Sequence, residues 1–513
     1  MSKTPKEHPP SNQVHLTRGV SYLLMQTLGV NVVTILAFAA IARLISTEEM
    51  GVWTILLLIN ATCNTFTTWF TTAVTKFVAE NVPKGSKDVA AAAFYQALRA
   101  NFLIYLPVMV GMFFGATFLA SHLLGDSSYA ALFRLLAFDV FLNAALVNLA
   151  VAALLGLRMF REAAVVGLTV GGVFRQLLIV SLVILMKNIL GLMIGWLVSD
   201  VVWAGILLVI VIRALGAPRF DFPLIKLFRF YWPLELAQIV SYAQTWFDRV
   251  LLVIFVPLAA LGIYNAVVTA FTVLAGVSGA LSSMLFPAFS SIQNKDERSG
   301  IADSVRLATR YSNFVLTPLA FGLLATAKPA LTLFVGETYV AGYLPLAILS
   351  GAFAFVAFTA PLPSALMALE ETKLVGSITA SSVLVGLFTA YFLLPAYGIV
   401  GASAARGLSI LLAGVLVIPV SSRKMALRLD FGSIAKPLFA SSLMAIILFA
   451  LQLVYYTKFM LLVYVLVGGI IYIISLRLLK AVDEQDMELV RGFLGRRLES
   501  VSRFLSWVLI ATD

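Results

Sequence analysis

Isolated ionisable side chains interrupt long apolar stretches of the sequence: Arg99, Asp139, Arg175, Asp200, Glu235, Asp248, Arg249 and Arg406. Arg175 is the sharpest case, alone in the run VGGVFRQLLIVSLVIL from Val170 to Leu185. A charge at bilayer depth is costly if it faces lipid, so each of these groups needs a partner or a water-filled cavity. Two chemistries follow. In the plainer one the acids and bases cancel as ion pairs between helices. Asp200 with Arg406 is the pair expected, whereas Asp248 cannot meet Arg249 face to face, because adjacent helical residues point about 100° apart. In the other, Arg175, Arg249, Arg406 and Arg99 line a cavity, and their guanidinium groups match phosphate oxygens with paired donors. Such a cavity suits an anionic substrate whose tail stays in lipid, such as a lipid-linked sugar phosphate. Arg99 can instead snorkel its charge to the interface. Asn31, Asn60, Asn64 and Trp69 would wet one side of the first two spans. Amides and rings of this kind suit sugars, and small polar residues equally serve helix packing.

The elements that must hold these residues follow from hydropathy. Of 513 residues, 61% are hydrophobic and 12% charged, with a mean hydropathy of +0.98. Lipid must therefore be the solvent for most of the chain. Counting apolar runs of about 20 residues gives an all-α integral membrane protein with about 14 transmembrane helices. Very tight turns are expected at Lys187-Asn188 and at Pro395-Ala396. With the N-terminus in the cytoplasm, most Lys and Arg fall on the cytoplasmic side, and the outer loops keep Arg43, Arg134, Lys187, Lys328 and Lys458. The positive-inside rule thus predicts both termini in the cytoplasm. The net charge of +11 is then a property of cytoplasmic loops and calls for no nucleic acid.

The chain also reads as duplicated. EEMGVWTI and AALGIYNA, AALLGLRMFR and SALMALEETK, GWLVSD and GASAAR recur in order at a near-constant offset. The pattern predicts a cytoplasmic N-terminal tail (1–17), an N-lobe of six helices (18–213), a cytoplasmic linker (214–227) and a C-lobe of six helices (228–424). Two extra helices (433–480) and a basic amphipathic C-terminal helix (481–513) follow. Six is even, so the lobes share an orientation, about an axis along the membrane normal. The amphipathic helix suits the inner, anionic leaflet or the protein's own cytoplasmic loops.

Signals for other classes are weak. Cys63 is the sole cysteine, so no intrachain disulfide forms. No cleavable leader is visible before Arg18. No HExxH, GxSxG, Walker A or Rossmann pattern occurs, and no outer loop is long enough for a catalytic domain, so the sequence predicts no enzyme, no cofactor and no metal.

Three stretches carry a family likeness: IARLISTEEMGVWTI; WFDRVLLVIFVPLAALGIYNA; and LMALEETKLVG through the Pro-x-Tyr-Gly-Ile-x-Gly-Ala turn to ARGLS. With the span pattern, the sequence resembles the Wzx-type polysaccharide flippases of the MATE-like (multidrug/oligosaccharidyl-lipid/polysaccharide) exporter superfamily across nearly its whole length. It departs at Ala-Leu-Glu-Glu-Thr-Lys, where the family often has Gly-x-Gly-x-Thr-Lys. The resemblance implies a flippase that moves a polyprenyl-(di)phosphate-linked oligosaccharide from the inner to the outer leaflet by alternating access of two lobes. It implies a place in the cell membrane and, as partners, membrane lipids and other polysaccharide-assembly proteins. It also implies phosphate contacts, carried here onto Arg175, Arg249 and Arg406, and coupling to protons or sodium at Asp139, Asp200, Glu235 or Asp248. The alternatives are a cation-coupled multidrug exporter of the same fold, which should show acidic cavity residues, and a membrane-embedded glycosyltransferase or polymerase.

Overall fold

The computed structural model describes residues 11–65, 70–290, 297–425, 430–483 and 486. Trp69 and nearly all of the expected C-terminal amphipathic helix lie outside the described residues. Among the described residues every regular element is helical, as an apolar solvent demands of a chain that must satisfy its own backbone.

The helices run α1 (Ser11–Leu44), α2 (Thr47–Thr65), α3 (Thr71–Asn81), α4 (Lys87–Phe114), α5 (Ala116–Leu123), α6 (Ala130–Phe141), α7 (Asn148–Gly156), α8 (Phe160–Val166), α9 (Arg175–Met186) and α10 (Ile189–Leu215). They continue as α11 (Leu224–Phe255), α12 (Leu258–Ser290), α13 (Glu297–Ala325), α14 (Ala327–Val335), α15 (Tyr343–Ala354), α16 (Val356–Thr359), α17 (Pro361–Ala368), α18 (Thr372–Met425), α19 (Phe431–Val454) and α20 (Leu461–Leu478). Two π-helical stretches, Leu142–Val147 and Gly167–Phe174, join α6 to α7 and α8 to α9.

Among the described residues ten of the helices or joined stretches are long and apolar enough to cross a membrane, or eleven counting α13 and α14, bent by 79°, as one span. The sequence count of fourteen is higher for physical reasons. α18 counts once, although it holds two helices either side of Gly398. α11 carries Lys226, Arg229, Glu235, Asp248 and Arg249, and α2 and α3 are separate pieces.

The chain divides into two compact units, Met1–Tyr242 and Ala243–Asp513. In the first, an alanine-rich core (Ala90, Ala91, Ala92, Ala93, Ala97, Ala150, Ala153) lets α4 and α7 pack closely, and the Thr75 hydroxyl of α3 donates to the Ala152 carbonyl of α7 at 3.0 Å. In the second, Ala440, Met444, Leu448, Tyr464 and Tyr472 join α19 to α20.

Local chemistry sets the turns. Ser46 and Glu49 form a reciprocal capping box at the start of α2, with backbone N–H to side-chain oxygen distances of 3.0 and 3.1 Å. The other Glu49 oxygen accepts from the Ile189 N–H at 3.1 Å, which ties α2 to the start of α10. Lys187, with φ +51°, and Asn188, whose side chain accepts from the Gly191 N–H, make the tight turn between α9 and α10 where the sequence places it. The expected turn at Pro395-Ala396 falls instead at Gly398 (φ +52°, ψ −128°). Pro395 fits inside the helix, whereas the reversal needs a backbone state that glycine alone adopts at low cost.

The expected topology has a direct check. In a Cys63→Ser background, cysteines at Ser127 and Glu337 should react with an impermeant thiol reagent added outside intact cells. Cysteines at Ser86 and Asp221 should react only after permeabilisation, and the reverse order would overturn the assignment.

Candidate functional site

Each unit holds an arginine–aspartate pair whose carboxylate is wholly buried and whose guanidinium is half-buried. In the first unit Arg175 opens α9, immediately after the π-helical stretch, and its guanidinium is paired with the Asp200 carboxylate of α10. Asp200 is wholly buried. The pairing is set by the α9–α10 hairpin: Arg175 lies as far before Lys187 as Asp200 lies after Asn188. Gly195 makes the close approach possible, since a Cβ there would stand 2.9 Å from Ile179 Cα. Asn143 donates to the same carboxylate. The indoles of Trp196 and Trp203 flank the guanidinium, with ring centroids 5.6 and 5.3 Å from its carbon.

A second buried acid stands in the same unit. Asp139 of α6 is fully buried and accepts from the Asn60 amide at 2.9 Å. Asn64 donates to Asn60 at 2.5 Å and Asn148 donates to Asn64 at 3.1 Å, so a chain of amides leads to Asp139. Its other oxygen, Oδ1, has no hydrogen-bond partner among the described residues.

In the second unit Asp248 of α11 is the buried centre. Arg406 donates to it at 2.6 Å and to the Thr245 carbonyl at 3.2 Å. The Tyr264 hydroxyl of α12, also fully buried, donates to the same carboxylate oxygen at 2.6 Å. Arg249 gives Asp248 its backbone N–H at 2.8 Å, and its guanidinium carbon lies 4.1 Å from the centroid of Trp246.

The arrangement corrects the expected pairing of Asp200 with Arg406. Asp200 is held by Arg175 and Arg406 by Asp248, each within its own unit. Asp200 and Arg406 occupy corresponding places in the sequence repeat, but each finds a nearer opposite charge. Arg99 is exposed, with its guanidinium carbon 6.0 Å from the Phe220 ring centroid, so it takes the snorkelling option rather than a buried place. Asn31 is exposed on α1, while Asn60 and Asn64 belong to the amide chain. Glu235 is buried, and neither of its carboxylate oxygens has a hydrogen-bond partner among the described residues. Sequence reasoning missed Tyr264, Asn143, Asn148, Trp196 and Trp203. Asn143 follows Asp139 by four residues, a spacing that puts both on one helix face. Among the described residues no cluster of three or more His, Cys, Asp or Glu is placed to hold a metal.

Chemically, Arg175 and Arg406 are committed to carboxylates, and an Arg249 guanidinium nitrogen lies 3.5 Å from the Thr245 carbonyl. Removing one partner of a buried pair costs about 3–5 kcal/mol, because the other charge is stranded. Arg175→Gln should therefore lower thermal stability sharply, with Asp200→Asn on top restoring most of the loss. Tyr264→Phe should cost about 1–3 kcal/mol by leaving a buried carboxylate short of a donor. Fluorescence-detected thermal unfolding of the purified variants reads both effects, and a fully stable Arg175→Gln protein would contradict the pairing.

Comparison with known proteins places this architecture. The fold is shared with a lipid II flippase, MurJ, in an inward closed conformation (TM-score 0.71, 13% identity, 88% of this chain and 97% of that one). It is shared also with an inward-facing multidrug resistance MATE family transporter of the MOP superfamily (TM-score 0.60, 13% identity, 80% and 97%). A probable low-salt glycan biosynthesis flippase of Haloferax volcanii, Agl15, is 27% identical over 218 residues, 42% of this chain and 46% of the relative. The match thus spans less than half of that relative's length. A family model described as polysaccharide biosynthesis protein matches residues 40–342, well over half of the sequence. The chain belongs to that family of polysaccharide biosynthesis proteins.

Proposed function

We propose that the protein is a flippase. It carries a polyprenyl-(di)phosphate-linked oligosaccharide from the cytoplasmic to the outer leaflet of the cell membrane, for assembly of a surface polysaccharide or glycan. The observation that carries this reading is a polysaccharide biosynthesis sequence on a fold shared with a lipid II flippase. The glycan flippase named among its relatives supports it. Fourteen spans, twelve of them in two six-helix lobes, with both termini cytoplasmic, would let the lobes open alternately to either side.

The buried arginines fit an anionic head group, with roles that differ from residue to residue. Phosphate must compete with Asp200 for Arg175 and with Asp248 for Arg406, so in those two places binding amounts to an exchange of carboxylate for phosphate. We assign the first phosphate contact to Arg249. Stacking on Trp246 uses the face of its guanidinium, so phosphate would meet the N–H edge, in competition with the Thr245 carbonyl at 3.5 Å. Coupling to a proton or sodium gradient would fall to the buried acids Asp139, Asp200, Glu235 and Asp248, with Glu235 and Asp139 placed best, since each has a carboxylate oxygen without a hydrogen-bond partner among the described residues. The buried Glu235 also favours a second reading, a cation-coupled multidrug exporter, for which the MATE fold is a precedent.

Reconstitution separates the readings. In vesicles carrying a fluorescent polyprenyl-diphosphate glycan, the wild-type protein should expose the inner-leaflet label to an impermeant quencher. Arg249→Gln should slow this at least about tenfold, the rate equivalent of losing one charge-assisted contact of about 1.4 kcal/mol or more, with Arg249→Lys between the two. Efflux of cationic dyes without glycan-lipid flipping would transfer the assignment to multidrug export.

A further inference from the structure

The basic end of α18 holds a cleft that the flippase reading does not use. Residues 372–397 and 399–425 form its two helices, and the Ser409 hydroxyl of the second donates to the Ser382 carbonyl of the first at 2.8 Å. Beyond that tie the helices enclose a cavity of about 340 Å³. One wall is Ser377 and Ser381, one helical turn apart. The other is Leu416, Pro419, Val420 and Arg423, at helical spacing along a single face. Lys373 continues the Ser377–Ser381 stripe by one more turn.

The charges here differ from those nearby. Lys424 is paired with Glu371 at 2.5 Å, whereas Arg423 has no carboxylate partner among the described residues. Ser377, Ser381, Pro419 and Arg423 are all exposed, so the cleft opens outward. Ile378, Leu416 and Val420 make the cleft apolar on one side, while Arg423 supplies a guanidinium, Ser381 a hydroxyl and, a turn beyond Ser377, Lys373 an ammonium. Guanidinium and hydroxyl donors match phosphate oxygens, and basic clefts between transmembrane helices at a membrane face suit anionic lipid head groups.

We propose that this cleft binds the phosphate head group of an anionic phospholipid, with Arg423 as the charged contact and Ser381 as a hydroxyl donor, the Ser377 hydroxyl being given to the Leu374 carbonyl at 2.9 Å. The volume suits one head group with its glycerol and is too small for an oligosaccharide. Its outward opening suits a resident lipid of the surrounding bilayer rather than cargo.

The test uses the full chain, purified in detergent, stripped of lipid and offered phosphatidylglycerol or phosphatidylcholine with identical acyl chains, bound lipid being counted by native mass spectrometry. The wild-type protein should retain phosphatidylglycerol at least about fivefold over phosphatidylcholine, the ratio one charge-assisted contact supplies. R423Q should remove that preference and leave phosphatidylcholine retention unchanged, with R423K intermediate. S381W, which fills the cleft and keeps Arg423, should lose phosphatidylglycerol as well, and it keeps the test readable should R423Q fail to fold. Wild-type phosphatidylglycerol retention by R423Q or by S381W would overturn the proposal. So would stoichiometric displacement of phosphatidylglycerol by an equal concentration of a polyprenyl phosphate, which would mark the cleft as a cargo site.

Discussion

Every charge inside a lipid-embedded bundle must be answered within the bundle. That constraint decides more of this structure than any single apolar contact. Helices slide against one another over apolar side chains with little preference, because lipid tails are as apolar as leucine. A buried carboxylate permits no such freedom. Asp200 fixes α10 against α9 through Arg175, and Asp248 gathers α11, α12 and the second half of α18 through Tyr264 and Arg406. Glycines and turns serve these contacts: Gly195 lets α9 and α10 approach, and the Lys187-Asn188 turn sets their register.

The same constraint links structure to transport. Ion pairs that exactly satisfied every group would make a rigid bundle with nothing left to bind. The two clusters fall short of that. The first unit holds Asp139 and Asp200 against Arg175, with one Asp139 oxygen unanswered among the described residues. The second pairs Arg406 with Asp248, to which Arg249 gives only its backbone N–H. An acid in excess can take up a cation, and paired arginines can trade a carboxylate for a phosphate. Both are changes that a transport cycle can use, and both occur within a single unit.

The all-helical, multi-span character was legible in the sequence, because hydropathy acts over long windows. The Lys187-Asn188 turn was read where it falls, while the Ser46–Glu49 capping box went unread although it follows the S-x-x-E pattern. The charges that pair inside each unit were legible as well, since a lone Arg or Asp in an apolar run announces itself. Their partners were harder. The Asp200–Arg406 pairing was argued from matching repeat positions, a long-range analogy, when the nearer rule was available. In an antiparallel hairpin, residues equidistant from the turn meet, and Arg175 and Asp200 are equidistant from Lys187-Asn188. Asp248 and Tyr264 stand almost as evenly about the break between α11 and α12. Arg406, 158 residues from Asp248, had no such rule. The π-helical stretches before Asn148 and Arg175 shift the side-chain phase, which no simple helical period foresees.

The central claim is that Arg175 and Arg406 are each neutralised by an acid of their own unit. The most direct measurement is a matrix of rescue. Arg175→Gln and Arg406→Gln are each combined with Asp200→Asn and with Asp248→Asn, and thermal stability is read for all four double variants. The account predicts that Asp200→Asn restores Arg175→Gln alone and Asp248→Asn restores Arg406→Gln alone, each by about 3 kcal/mol or more. Rescue of Arg406→Gln by Asp200→Asn would contradict it.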